Sequence, residues 1–206
     1  MTTKAVATKK RILESAKAEF MERGFSGASL RVIAKNAGVT TGALYGSFAD
    51  KDALFDALVG EHIAYFYREF TTAQIAFQNL DDDKQVETMH THSAHALFGL
   101  IGYVYDHFDA FSLALCHSTG SKYETWLEPI IAMEEESTKC FIATIRQGGY
   151  PVKDISDQLI HILCTGFFHD VMETVAHNMD RETAIRHIAL LCDFTTAGWD
   201  RLLGIP

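Results

Sequence analysis

Between Thr8 and Phe55 the chain reads TKKRILESAKAEFMERGFSGASLRVIAKNAGVTTGALYGSFADKDALF, a spacing of apolar, small and turn-forming residues that specifies three short helices with a tight turn between the last two. Two helices crossing at such a turn need a small residue where their backbones approach and a turn residue that tolerates positive φ. Ala34 and Gly38 stand in those places. Leu30, Ile33, Ala34 and Ala37 share one helical face, Val39 and Leu44 supply apolar contacts from the turn and the next helix, and Ser29 and Thr40 are positioned as amino-terminal caps. This pattern predicts a helix-turn-helix, and its first functional implication is sequence-specific DNA binding.

A net charge of -9 is at odds with a DNA-binding surface until the chain is divided. The first 60 residues hold 9 basic side chains (Lys4, Lys9, Lys10, Arg11, Lys17, Arg23, Arg31, Lys35, Lys51) against 6 acidic ones, a balance of +3. The remaining 9 basic and 21 acidic groups leave the rest of the chain at -12. A basic head can meet phosphates while an acidic body is repelled by the duplex, which orients the molecule as it approaches.

A hydrophobic share of 48% with 22% charged residues is ordinary for a globular protein and excludes disordered and collagen-like classes. The richest apolar run, Ala96 to Tyr105, contains Gly99 and Gly102 and falls short of the roughly 18 apolar residues of a membrane span. The first residues lack the apolar core of a secretory leader. No membrane partner and residence in the cytoplasm are therefore expected. Cys116, Cys140, Cys164 and Cys192 are far apart and form no C-x-x-C pair; they are read as buried small hydrophobes rather than a redox switch.

Only 3 prolines occur, and apolar residues recur at three and four, so the expected fold class is all-α, with about nine helices. The first helix is placed at about Thr8 to Arg23, burying Ile12, Leu13, Ala16 and Phe20 and stopping at Gly24. Asp50 caps a long fourth helix running to about Thr72, and NLDDDK from Asn79 to Lys84 is read as a loop. Further helices are expected near Val86 to Phe98, Tyr103 to Leu115, Tyr123 to Arg146, Ile155 to His177 and Glu182 to Leu203. The last two are apolar on more than one face, through Leu159, Ile160, Leu163, Phe167, Phe168, Val171 and Val175 on one and Ile185, Ile188, Leu191, Cys192 and Trp199 on the other. Such helices are either central in one subunit or bury a second face against a partner; paired heads on a palindromic site favour a homodimer through a four-helix interface.

The run IL-x2-A-x3-F-x3-GF followed by L-x2-IAK-x-AGV-x-x-GALY-x-x-F-x-x-K closely resembles the DNA-binding domain of the tetracycline-repressor (TetR) family. The resemblance implies a DNA-binding domain in residues 1–50 and a helical ligand-binding and dimerisation domain in residues 51–206. It further implies a regulator, most often a repressor, that leaves a palindromic double-stranded DNA operator when a small molecule binds. No cofactor is implied. Carried over position by position, Thr40, Thr41, Gly42, Ala43 and Tyr45 lie on what resembles the recognition helix, with Tyr45 similar to an aromatic hydroxyl that bonds a phosphate. Ser29 and Arg31 are similar to phosphate-gripping residues, Lys51 opens the fourth helix as a backbone contact, and Phe48 looks structural. Two departures, Thr41 where a long polar residue is common and Gly46 where a bulkier one is frequent, shorten the reach toward DNA. Gly42 and Gly46 also weaken a short helix by about 1 kcal/mol each, so ordering of this segment by DNA is expected.

The family's ligand pocket lies in the helical body, and the aromatics Phe66, Phe70, Phe98, Tyr103, Phe108, Phe111, Trp126 and Phe167 are its candidates here, for an apolar or aromatic effector. Ordinary core packing produces the same stripes. All ten histidines follow residue 60, and His169, Glu173 and His177 share a helical face at metal-ligand spacing, with His92 and His95 the next set. No fourth ligand is readable, and Glu87 to His90 is the lone E-x-x-H pair of the two that a di-iron bundle requires, so no metal site is assigned. Nucleophile-elbow, Walker and dinucleotide-binding glycine patterns are missing, so an enzyme is not expected. The other readings left open are a metal-binding helical sensor and a helical interaction module whose helix-turn-helix no longer binds DNA.

Overall fold

The structure, a computed structural model, describes residues 3–205 and is all-helical over them. The elements are α1 (Thr3–Gly27), α2 (Leu30–Asn36), α3 (Thr41–Tyr45), α4 (Lys51–Gln78), α5 (Asp82–Asp106), α6 (Phe108–Cys116), α7 (Glu128–Gln147), α8 (Asp157–Ala176) and α9 (Arg181–Leu203). They form two compact units, one of residues 1–65 with 107–126, the other of residues 66–106 with 127–206. The first unit thus groups the start of α4 and all of α6 with the three amino-terminal helices.

In the first unit Ile12, Ala16 and Phe20, spaced along one face of α1, are completely buried, together with Ile33 of α2 and Leu44 of α3. Phe20 and Phe55 meet edge to face at 5.0 Å, and Phe25 joins them at 5.3 Å from Phe55, an aromatic cluster that locks α1 to α4. Non-helical backbone at Gly24 breaks α1, and a short helical piece continues beyond it to Gly27. Gly38 adopts φ 66 in the turn between α2 and α3, the left-handed conformation that its position demands.

Around this head run α6 and the segment after it. Phe25 donates its backbone N–H to the His117 carbonyl at 2.7 Å, Ser26 Oγ donates to the Thr119 carbonyl at 2.6 Å, and Lys17 pairs with Asp109 at 2.6 Å. Ala110, Phe111, Leu113 and Ala114 bury the inner face of α6.

The second unit is built from α5, α7, α8, α9 and the later part of α4. Ile101, Val171 and Ile188 centre one cluster, against which Phe98, Tyr105, Phe167 and Leu191 pack. By length and composition alone α8 could cross a membrane, yet Ile160, Cys164, Phe168, Val171, Met172 and Val175 bury one face of it within this unit.

Several boundaries differ from the sequence expectation. α5 is one helix of 25 residues that passes through Gly99 and Gly102, because a glycine costs a helix about 1 kcal/mol and the packing of Leu100, Ile101 and Val104 outweighs it. α7 begins at Glu128, with Pro129 in its first turn, where the missing N–H is no loss. α4 continues to Gln78, and the NLDDDK segment is helical from Asp82 onward, its two first-turn aspartates complementing the helix dipole. Among the cysteines Cys164 is buried and Cys192 half-buried, whereas Cys116 at the end of α6 and Cys140 on α7 are exposed, which corrects their reading as core residues.

Candidate functional site

The candidate nucleic-acid surface is α3 with the exposed side of α2. Leu44 is the buried anchor of α3, and around it Thr41, Gly42, Ala43 and Tyr45 all face outward; Tyr45 is 52% exposed. The helix spans Thr41–Tyr45, with Gly46 as its carboxyl cap rather than an interior residue. Thr40 Oγ1 accepts the Ala43 N–H at 3.1 Å, the expected cap, which commits that hydroxyl to the backbone.

Ser29 and Lys51 depart from expectation. Ser29 holds the cap position of α2 but its hydroxyl makes no capping bond; its own N–H donates instead to the buried Glu19 carboxylate of α1 at 3.0 Å. Lys51 points into the head, where its ammonium donates to the carbonyls of Ser26 at 3.2 Å and Ala28 at 3.5 Å and lies 4.7 Å from the Phe25 ring centre. Orphan carbonyls near the end of α1 and an aromatic face compete successfully for this charge. At the start of α4, Asp50 Oδ1 accepts the Ala53 N–H at 2.7 Å and Asp52 adds negative charge that complements the helix dipole. Arg31 is exposed and has no ion-pair partner among the described residues. The same holds for Arg11 on α1 and Lys35 on α2, cations outside the positions that the family resemblance carries over.

A second feature joins α4 to the segment after α6. Asp56 Oδ1 accepts from the Tyr123 hydroxyl at 2.5 Å and pairs with Lys122 Nζ at 2.5 Å. Lys122 and Tyr123 hold the Asp56 carboxyl below the usual carboxylate range, while burial and then the Asp56 bond push Tyr123 up to about 12. A Cβ on Gly60, one turn further along α4, would lie 2.8 Å from the Tyr123 hydroxyl, so only glycine leaves the network its room.

The second unit holds a partly open cavity of about 210 Å³. Of the eight aromatic candidates it is lined by Phe66, Phe70 and Phe167, joined by Phe77, Phe141, Phe168 and Trp199. The other five lie elsewhere. Phe98 packs half-buried against the Ile101 cluster, and Tyr103 sits half-buried on α5 outside the cavity wall. Phe108, Phe111 and Trp126 belong to the first unit, where the Phe111 and Trp126 rings meet at 6.0 Å. Residue type alone does not separate a cavity aromatic from a core aromatic, since both arise from the same helical spacing.

The cavity wall also carries a carboxylate. Glu134 of α7 accepts a hydrogen bond from the Gln74 amide of α4 at 2.5 Å, and burial raises its carboxyl above the usual range. The adjoining Cys164 thiol is pushed up to about 12 by burial and then by the Glu134 charge, which leaves it unreactive. Elsewhere on α8, His177 pairs with Glu173 at 2.8 Å, and among the described residues no group of three histidine, cysteine or acidic side chains could hold a metal ion.

Comparison with known proteins addresses the amino-terminal unit most directly. Residues 12–58 match the family model described as bacterial regulatory proteins, tetR family. Over 59 residues the chain is 41% identical to the HTH-type transcriptional regulator UidR of Escherichia coli strain K12, covering 29% of this chain and 30% of that one. It is 33% identical over 103 residues to the protein described as "Probable HTH-type transcriptional regulator YttP" of Bacillus subtilis strain 168, covering 50% and 46%. The chain thus spans less than half the length of either relative. A crystal structure of a tetR-family bacterial regulatory protein from Rhodococcus RHA1 shares the fold, with a TM-score of 0.55, 15% identity and 100% coverage of both chains.

Proposed function

We propose that this chain, whose amino-terminal domain belongs to the tetR family of bacterial regulatory proteins, is a homodimeric transcriptional repressor that a small molecule releases from its operator. The observation that carries the DNA-binding part is the outward presentation of Thr41, Gly42, Ala43 and Tyr45 around a buried Leu44, beside unpaired Arg31. A short helix so anchored can enter the major groove, with Tyr45 and Arg31 on phosphates and Thr41 and the Ala43 methyl against base edges. Ser29 has a free hydroxyl for a phosphate, Thr40 acts by capping, and Lys51 acts by holding the head together.

The dimer reading is supported by α8 and α9. Phe194 is 80% exposed, Leu190 67% and Ile162 62%, and Gly166 and Gly198 on the same two helices have open space where a side chain would stand. Large apolar groups so exposed are costly in a monomer, and a self-complementary pairing covers them. Two heads then address half-sites about one turn of B-DNA apart, roughly 34 Å.

Release requires the effector to bind one separation of the heads more tightly than another. The cavity is the effector site in this reading, and α4, one unbroken helix of 28 residues, supplies Phe66, Phe70, Gln74 and Phe77 to its wall and Asp56 to the network with Lys122 and Tyr123. The test is binding to the DNA upstream of the chain's own coding sequence. Affinity that falls steeply with salt and is weakened by Tyr45→Phe supports the regulator; the same weak affinity at every sequence would refute it.

A further inference from the structure

We propose that the cavity of the second unit takes a small hydrophobic amine, its ammonium against the Glu134 carboxylate and its apolar body among the aromatic rings. The proposal deepens the reading of this cavity as the effector site and rests on it.

Glu134 is the one acidic side chain in the cavity wall, and that wall contains no lysine or arginine. The two histidines there already face acceptors of their own: His92 Nε2 donates to the Ala73 carbonyl at 3.0 Å, and His90 Nε2 lies 3.1 Å from the Asp200 carboxylate. Burial disfavours the charged form of Glu134 while the cavity is empty, and the bond from the neutral Gln74 amide opposes that only in part, without supplying a cation. A charge placed among apolar groups is costly unless a counter-charge joins it, and here the protein provides none at the carboxylate. The counter-charge is left to the ligand.

The rest of the wall favours the same sign. Phe66, Phe70, Phe77, Phe141, Phe167 and Trp199 line the cavity with aromatic rings, whose faces attract cations. An anionic ligand would meet Glu134 as a like charge with no cation to hold it. A neutral ligand would fill the apolar space but leave the carboxylate unanswered. Size narrows the class further, since about 210 Å³ lies below the roughly 300 Å³ at which sites for drug-sized molecules begin. A primary amine on a single ring or a short branched chain fits these limits.

The experiment titrates the full-length protein, without DNA, with three probes of nearly equal shape: phenylethylammonium, phenylethanol and phenylacetate. In the native protein the ammonium should bind at least about tenfold more tightly than the alcohol, with phenylacetate weakest. In Glu134→Gln, which keeps the shape and an acceptor oxygen, the ammonium should lose about tenfold while the alcohol changes little. Equal binding of ammonium and alcohol in the native protein overturns the proposal and points to a protonated Glu134 serving a neutral ligand. So does an ammonium preference that survives Glu134→Gln, or binding of none of the three. Operator binding measured in parallel is independent of these outcomes, so loss of the amine preference with DNA binding intact removes the ligand class and leaves the regulator standing.

Discussion

At position 56 one carboxylate oxygen receives a phenol and an ammonium together, and pH reads the consequences at both ends of the scale. Because the folded Asp56 carboxyl is held below its ordinary value, its contribution to stability is complete above the unfolded value near 3.8 and is lost as pH falls through the lowered one. Tyr123 works in the opposite sense: raised to about 12 from 10.0, its neutral form stabilises the fold fully below pH 10, and that contribution disappears as pH climbs toward 12. With the Asp56 side chain 45% exposed, solvent screening limits the worth of the pair, and Asp56→Asn should cost about 1 kcal/mol in thermal melts at neutral pH, shrinking in acid. Tyr45→Phe should leave the melting temperature unchanged, since its hydroxyl faces solvent, and weaken operator binding about tenfold by removing one bond to a charged phosphate, as anisotropy titration would measure. Core residues such as Ile12, Phe20 and Leu44 were legible from spacing alone, as was the Thr40 cap. The inward turn of Lys51 and the capping of α2 by Glu19 were not, because each depends on a partner at least ten positions away that local pattern does not disclose.

At the scale of elements the helix-turn-helix is the part most fully written in the sequence, since Ala34, Gly38 and Leu44 are each forced by a contact within the motif. Gly42→Ala tests the exposure of α3: an added Cβ meets nothing closer than Thr40 Oγ1 at 4.0 Å, so the helix should gain about 1 kcal/mol. Thermal melting should rise by about 2–4 °C while DNA affinity falls, because the new methyl stands on the groove-facing side; unchanged affinity would show that the α3 backbone keeps clear of the duplex. The α5 and α7 boundaries escaped local reading for opposite reasons. Gly99 and Gly102 look like breaks but are absorbed by packing, whereas Pro129 marks a start that the apolar spacing before it obscures. The association of α6 with the amino-terminal helices, through Lys17 to Asp109 and Phe25 to His117, joins residues over 90 positions apart and leaves no local trace.

For the whole molecule, a balance of +3 in the first 60 residues against -12 in the rest is what DNA contact through the amino-terminal helices calls for, and the exposed apolar residues of α8 and α9 are what the proposed self-association would cover. Phe194→Asp should convert a dimer into a 23.0 kDa monomer in sedimentation and reduce operator affinity, because a charge at a centre of apolar contact is expensive to bury and a single head reads only one half-site. The most direct test of DNA recognition is equilibrium anisotropy of the full-length chain on its upstream DNA, compared with a scrambled duplex of equal length across a series of salt concentrations. Tight binding to the upstream sequence, with a strongly negative dependence of log affinity on log salt and a much weaker scrambled control, is the predicted result. Identical affinities for the two duplexes, or no response to salt, would contradict it.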